Sequence, residues 1–371
     1  MSKFSPLDFQ MMSRAMQLAK RGIYTTAPNP NVGCVIAHGD NIVGEGFHAK
    51  AGEAHAEVHA MRMAGDKAKG ATAYVTLEPC SHYGRTPPCA EGLIKAQVAK
   101  VICAMEDPNP KVAGRGIKML RDAGIEVQVG LLEQDALALN PAFIKRMQTG
   151  RPFVQLKMAA SLDGQTALSN GQSQWITSPH ARRDVQHYRA KAGAVLSTSQ
   201  TVIEDNASLN VRWDELPQAV QALYPQSSLR QPTRVILDRQ AQLLQADNQD
   251  LKLYQSQAPV LRVAESEADI MVALDSEGQL DIAQLIQDLP SHHIDHIWVE
   301  AGATLAKSFI ENQLVDELIL YLAPKLMGSD GRGLMGALGL SSMDAVIDLS
   351  IKDVRMVGPD IRIVAQPVWK S

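Results

Sequence analysis

The stretch Thr76-Leu77-Glu78-Pro79-Cys80-Ser81-His82-Tyr83-Gly84-Arg85-Thr86-Pro87-Pro88-Cys89, taken with His55-Ala56-Glu57-Val58-His59-Ala60, decides the fold of the first part of the chain. Ala73 to Leu77 reads as a strand that runs out at Cys80. Pro87-Pro88 deliver Cys89 to the start of the next helix, near Cys89 to Ala96. His55 opens an earlier helix that extends to Ala64 and stops at Gly65. One His and two Cys at such junctions offer three N/S ligands with a fourth position open, as in catalytic rather than structural zinc sites. Cys89, and by the same reasoning Cys80, lies near a helix N-terminus, whose dipole and free N–H groups favour the metal-binding thiolate. Zinc lowers the pKa of water bound to it towards neutrality. Glu57, two residues past a ligand and not itself one, is placed to move protons between that water and a leaving amine.

Other residues compete for these roles. His59 follows His55 by one helical turn and faces the same side, so it is a rival ligand. The Glu between them stands in the wrong slot for H-E-x-x-H, and His59 reads better as a supporting or packing residue. Cys34 and Cys103 lie inside apolar strands and read as buried thiols.

Working outward, Leu7 to Arg21 has a helical period. Val32 to Ala37 and Ile42 to Phe47 read as strands around a turn at His38 to Asn41. Strand Val101 to Met105, helix Gly116 to Ala123, strand Ile125 to Val129 and helix Gln134 to Arg146 follow. Strands alternating with helices predict a largely parallel or mixed sheet between helices, an α/β domain over residues 1–149. Gly150-Arg151-Pro152 reads as a linker opening a second domain, residues 150–371. Its expected strands are Phe153 to Met158, Ala194 to Ser197, Arg234 to Asp238, Val260 to Val263, His296 to Glu300 and Glu317 to Ala323. Helices are expected over Pro179 to Ala192, Asp281 to Asp288 and Leu305 to Asn312, with an excursion loop from Asp214 to Pro232.

Composition narrows the function. The 371 residues are 45% hydrophobic and 20% charged, with a net charge of −4 and 5% aromatic residues. That balance argues against a nonspecific hold on a nucleic-acid backbone or a stacking platform for bases. Apolar runs are short or broken by acids, so no membrane span is expected. Four cysteines and no visible export signal point to a cytoplasmic protein with free thiols. Asn31, between Pro30 and a strand, offers an amide that can read a pyrimidine edge. His48, His82 and Arg85 lie on loops near the expected zinc and suit a ribose phosphate. The plainer reading of each is a polar loop residue.

The pairing of His-x-Glu with Pro-Cys…Cys resembles the cytidine deaminase-like zinc deaminases. Eight residues, Ser81 to Pro88, separate the cysteines instead of two. PNPNVGCVI (28–36), HAEVHA (55–60) and TLEPCSHYGRTPPC (76–89) resemble the riboflavin-biosynthetic deaminases in this form. QLKMAASLDGQTA (155–167), SQWITS (173–178), RVILD (234–238) and IWVEAGATL (297–305) resemble the reductase domain of bifunctional riboflavin biosynthesis proteins. The resemblance implies a three-layer cytidine deaminase-like domain followed by a dihydrofolate reductase-like one. It implies Zn2+ and NADPH as cofactors, a pyrimidine ribose phosphate as substrate, and a homo-oligomer.

The resemblance puts Ala159, Trp175, Thr201, Asp205 and Gly302, Ala303, Thr304, Leu305, Ala306, Lys307 and Ser308 at NADP positions. It puts Ser173, Arg189, Leu209, Arg212 and Glu300 at substrate positions. Read physically, a strand ending in Glu300, then Ala301-Gly302 and a helix start, can hold a pyrophosphate on backbone N–H groups. There is no G-x-G-x-x-G, and relatives more often have two glycines here. Gly193 to Ser199 also departs from relatives, which often carry Asp and Gly near its ends. Arg189 and Arg212 suit a phosphate. Lys157 and Asp163 either orient the reacting sugar or form a structural ion pair. Two other readings share the zinc motif: a tRNA or other nucleic-acid deaminase with an accessory domain, and a nonenzymatic zinc scaffold.

Overall fold

The computed structural model of the chain describes residues 3–83, 87–110, 112–300 and 302–370. They form two units, Met1–Gly150 and Arg151–Ser371. In the first, helix α1 (Pro6–Ala19) starts on a capping box between Ser5 and Asp8, with Pro6 at the first helical position. Strands β1 (Gly33–His38), β2 (Asn41–Phe47), β3 (Thr72–Val75), β4 (Lys100–Cys103) and β5 (Glu126–Val129) form a sheet of order β2-β1-β3-β4-β5. The pairs of β1 are antiparallel and β3-β4-β5 are parallel, so the sheet is mixed. Helices α2 (Ala56–Ala64), α3 (Cys89–Lys95) and α4 (Arg115–Asp122) bury their apolar residues against one face. On the other face α1 packs with α5 (Glu133–Leu139) and α6 (Pro141–Thr149), completing three layers.

Two contacts of this core set the site. Gly44 and Gly46 let β2 lie directly under α2: a Cβ would come 2.2 Å from the Ala60 carbonyl oxygen and 2.3 Å from that of Ala56. Backbone-to-backbone packing of this kind fixes the N-terminal turn of α2, which carries His55 and Glu57. The expected helix Gln134 to Arg146 is in fact two, broken at Asn140 (φ −128°). Pro141 disfavours a helical conformation for the residue before it, and the freed Asn140 accepts from the Asn31 backbone N–H at 2.7 Å.

The second unit begins with β6 (Phe153–Ser161), the short β7 (Gln165–Ala167), α7 (Pro179–Lys191), β8 (Ala194–Thr198) and α8 (Ser199–Asp205). It continues with α9 (Gln218–Leu223), β9 (Thr233–Leu237), β10 (Val260–Ala264), β11 (Ile270–Met271), α10 (Ile282–Asp288) and β12 (His296–Glu300). Then come α11 (Ala303–Glu311), β13 (Glu317–Ala323), β14 (Arg332–Gly333), β15 (Asp348–Val357) and β16 (Asp360–Val368). The main sheet has order β11-β10-β9-β8-β12-β6-β13-β16-β15. It is parallel as far as β13, with β16 and β15 added antiparallel. Helices α10 and α11 cover one face. Helix α7 covers the other, where Tyr188 stacks on the fully buried Trp298 at 4.6 Å. Part of the expected excursion loop is the short helix α9, and the β15–β16 hairpin lies beyond every strand the sequence reading assigned. No helix among the described residues is long and apolar enough to cross a membrane.

Candidate active sites

His55 caps α2, Cys80 follows β3 and Cys89 opens α3. Their ligand atoms converge: His55 Nδ1 lies 3.6 Å from Cys80 Sγ and 3.3 Å from Cys89 Sγ, and all three fall within 4.8 Å of one another. A tetrahedral ion with bonds of ~2.0–2.3 Å to N and S ligands needs N-to-S edges of roughly 3.5 Å. The donor set therefore fits zinc. The Cys89 backbone N–H donates to Cys80 Sγ. Hydrogen bonds from Cys89 and His55 bring the Cys80 pKa down to about 4. The Cys89 thiol is pushed the other way by its bond to Cys80 and by burial. Glu57 is buried beside the trio, and burial, then the neighbouring Cys80 charge, raises its carboxyl to about 7. Such a group both takes and gives a proton near neutrality.

His48 packs edge-on against His55 at 5.5 Å. One of its ring nitrogens meets the Ala54 carbonyl at 3.2 Å and the other the Asn29 amide at 3.2 Å, while burial lowers its pKa. Both of its polar atoms are committed to the protein. Asn31 is largely spent on the protein as well: Thr26 Oγ1 donates to Oδ1, and Nδ2 donates to Leu139 and Asn140. His82 is exposed on the loop between Cys80 and Cys89. Arg85 lies outside the described residues. His59 makes no hydrogen bond through its buried Nε2 among the described residues and is not in the metal cluster. Cys34 and Cys103 are fully buried free thiols.

The residue that sequence reasoning passed over is Glu78. It is buried, and its carboxylate accepts four backbone N–H bonds: Gly116 and Ile117 on Oε1 (2.8 and 3.2 Å), Asp107 and Gly114 on Oε2 (3.1 and 3.0 Å). These tie the segment just before Cys80 to the first turn of α4. A buried acid between Leu77 and Pro79 in an otherwise apolar run was the available signal.

In the second unit, β12 ends at Glu300, directly across from Lys157 on β6. Glu300 accepts a bidentate bond from Arg189 (2.5 and 3.0 Å) and one from Trp298 Nε1 (3.0 Å). Burial alone would raise its pKa, but Arg189 outweighs it and holds Glu300 at about 2. Arg189 also donates to the Asn210 carbonyl, leaving two of its five N–H groups for a ligand. Lys157 makes no hydrogen bond or ion pair among the described residues, and burial lowers its pKa. The alternative of a Lys157–Asp163 ion pair is not realised: Asp163 instead accepts from Ser161 and from the Met327 and Gly328 backbone.

Arg212 closes on Glu215 at 2.6 and 3.0 Å. Leu209 has φ 51° and a buried side chain, so only its backbone can meet a ligand. Ser173 and Trp175 are exposed, the latter under the Arg182 guanidinium at 4.4 Å. Asp205 accepts from Gln174, and Thr201 accepts from Thr198. Ala159 is half-buried on β6.

Gly302 is the N-cap of α11, with no side chain capping the helix. A Cβ there would meet nothing within 4 Å, so the first N–H groups of α11 look onto open space where a pyrophosphate fits. Thr304, Leu305 and Ser308 line a cavity of about 330 Å³ that reaches Thr198 and Leu237. Ala159, Trp175, Thr201 and Asp205 do not line it. Ala306 is fully buried and Lys307 pairs with Glu311. Ala301 lies outside the described residues.

An α/β domain with an open His/Cys/Cys site, joined to a parallel-sheet domain with a glycine–helix phosphate cradle, defines a zinc deaminase fused to a nucleotide-dependent reductase. Two family models match: the cytidine and deoxycytidylate deaminase zinc-binding region over residues 6–105, and the RibD C-terminal domain over residues 152–363. The riboflavin biosynthesis protein RibD of Escherichia coli is 52% identical, covering 95% of this chain and 98% of that protein. That of Haemophilus influenzae is 51% identical, covering 99% of each. Among solved structures, Acinetobacter baumannii RibD superposes with a TM-score of 0.88 at 45% identity, covering 98% of this chain and 99% of the other. The Thermotoga maritima diaminohydroxyphosphoribosylaminopyrimidine deaminase/5-amino-6-(5-phosphoribosylamino)uracil reductase gives 0.84 at 33% identity, with the same coverage. The chain belongs to the RibD family of riboflavin biosynthesis proteins. It is a bifunctional deaminase and reductase with zinc and NADPH as cofactors.

Proposed function

We propose that residues 1–149 hydrolyse the 2-amino group of 2,5-diamino-6-ribosylamino-4(3H)-pyrimidinone 5′-phosphate. Residues 150–371 then reduce the ribosyl group of the product to ribityl. The observation that carries this is the His55–Cys80–Cys89 triangle with Glu57 buried beside it. His55, Cys80 and Cys89 would hold the zinc, which would supply a water activated for attack at neutral pH. Glu57 is placed to take a proton from the water that attacks C2. It returns a proton to the nitrogen as the C2–N bond breaks, and ammonia leaves. Asn31, His48, His82 and Arg85 are the candidates for ring and phosphate contacts.

In the reductase, NADPH bound along Gly302 to Ser308, with Ala159, Trp175, Thr201 and Asp205, supplies hydride to the ribosyl C1′. Arg189 and Glu300 lock each other in place, and with Ser173, Leu209, Arg212 and Lys157 they orient the sugar phosphate. The substrate is a free small molecule rather than nucleic acid, in keeping with the net charge of −4. The protein is a cytoplasmic homo-oligomer. Its free thiols support a reducing compartment. Exposed Leu349, Ile351, Val354 and Met356 on edge strand β15 support association.

Incubation with the diaminopyrimidine phosphate tests the reading. Ammonia should appear without NADPH, and NADPH should be oxidised only as ammonia appears. Inert substrate together with deamination of an oligonucleotide would favour the nucleic-acid alternative.

A further inference from the structure

We infer that the second unit carries a binding site for a sugar phosphate, apart from its active site, in which Lys191, Arg362 and Arg183 hold the phosphate. A cavity of about 860 Å³ lies between α7, the stretch from Asp214 to Gln221, and the β15–β16 hairpin. Its volume falls in the ~300–1,000 Å³ range of small-molecule sites. At 3.6 residues per turn, Arg183, Asp184, His187 and Lys191 share one side of α7 and line this cavity. Gln186 and Arg189, which bond the Arg212 backbone N–H and Glu300, leave the helix from the opposite side. The cavity therefore opens away from Arg189 and Glu300.

Two donors in its wall lack a hydrogen-bond partner among the described residues. Arg362 is 8% exposed; Asp184 and Asp353 take its two terminal nitrogens, and the buried Nε–H is left over. Lys191 makes no hydrogen bond or ion pair. Its Nζ and the Arg362 guanidinium lie 6.0 and 5.7 Å from the centre of the same Tyr188 ring, which Trp298 covers on one face. The Lys191 ammonium is half-open to the cavity while protein crowds the rest of it. Burial, offset by Glu317 and reinforced by the Arg362 charge, brings its pKa down to about 8, so it is still charged at neutral pH. The carboxylates that act on it are bonded to other groups, Glu317 to Gln155 and Asp184 to Arg362 and Tyr321. Arg183 is exposed and also makes no hydrogen bond or ion pair among the described residues.

An uncompensated ammonium and an unused buried N–H each cost stability until an anion completes them. A dianionic phosphate does so, because it accepts charge-assisted bonds from several directions at once. The cavity has room beyond the phosphate, and the rest of its wall is polar. Asp214 and Gln218 are exposed there with no side-chain partner among the described residues, free to meet the hydroxyl groups of a sugar.

Acylation of lysines on the zinc-loaded full chain, read peptide by peptide by mass spectrometry, tests this without using turnover. Saturating glucose 6-phosphate should slow the acylation of Lys191 severalfold, and glucose should not. In calorimetric titrations glucose 6-phosphate should bind more tightly than inorganic phosphate. Lys191→Met, which keeps the apolar stem, should weaken glucose 6-phosphate by roughly 10- to 100-fold, the loss of a charge-assisted bond. NADPH should bind this variant as it binds the native chain. Arg183→Gln, an exposed change that leaves the fold alone, should weaken glucose 6-phosphate by a smaller factor. Unslowed acylation of Lys191, protection of Lys157 in its place, or native affinity in Lys191→Met would overturn the site. Equal affinity for inorganic phosphate and glucose 6-phosphate would overturn its assignment to a sugar.

Discussion

Glu78→Gln removes one oxygen from a side chain whose two oxygens each accept two backbone N–H bonds. Whichever way the amide turns, its NH2 faces two buried backbone donors that had a carboxylate oxygen before. Each orphaned buried group costs about 1–3 kcal/mol, so the loss is roughly 2–6 kcal/mol, with the charge on the other two bonds lost as well. That is a large part of the ~5–15 kcal/mol that keeps a domain folded. The midpoint of thermal unfolding of the first unit should fall on the order of 10 °C. Zinc should also bind more weakly, because the same bonds hold the chain two residues before Cys80. The assay is calorimetry of the zinc-loaded full chain, with the NADPH-stabilised transition as the internal reference for the second unit. A midpoint unchanged within about 1 °C would show that the four bonds do not carry the Glu78 loop, and the reasoning would fail.

The double variant Cys80→Ser, Cys89→Ser should lose its zinc, measured as metal per chain after dialysis; stoichiometric zinc would rule out the three-ligand site. Gly302→Val should fold normally, since a Cβ there meets nothing within 4 Å, yet lose NADPH affinity because its branches occupy the space before α11. Normal NADPH binding would move the pyrophosphate elsewhere. Burial, then the Lys191 and Arg230 charges, holds His296 at about 3, below its ordinary value of 6.5. The unfolded chain therefore binds that proton first, and stability present above pH ~6.5 is lost as pH falls towards 3. Unfolding midpoints followed against pH should show a shallower fall for His296→Gln, which can keep the Gln155 bond; an unchanged slope would remove His296 as the cause.

How much of this was legible in the sequence depended on how local the cause was. His55, Glu57, Cys80 and Cys89 stood out because metal chemistry demands particular residue types at element junctions. Most strands of both parallel regions stood out because their centres are short apolar runs, such as Val101 to Cys103 and Val235 to Leu237. The break at Asn140 was written in Pro141 but masked by a continuous apolar period on both sides. The β15–β16 hairpin was hidden for a different reason. In β15 Lys352, Asp353 and Arg355 interrupt the apolar residues, and a bulge between Ile351 and Asp353 shifts the alternation that marks a strand. Glu78 and the Arg189–Glu300 pair were illegible as structure, since their partners lie 29 to 39 and 111 residues away. The resemblance named Glu300 as a substrate residue without revealing that it first closes on Arg189.

The most direct test of two sites acting in order is Glu57→Gln given the diaminopyrimidine phosphate and NADPH together. Glu57 is not a ligand, so zinc should stay bound while ammonia release falls by at least ~10²-fold, as expected for loss of a general acid–base. NADPH should remain unoxidised with the diamino compound and be consumed at the native rate once the already deaminated compound is supplied. Oxidation of NADPH by the variant on the diamino compound, with no ammonia released, would contradict the account.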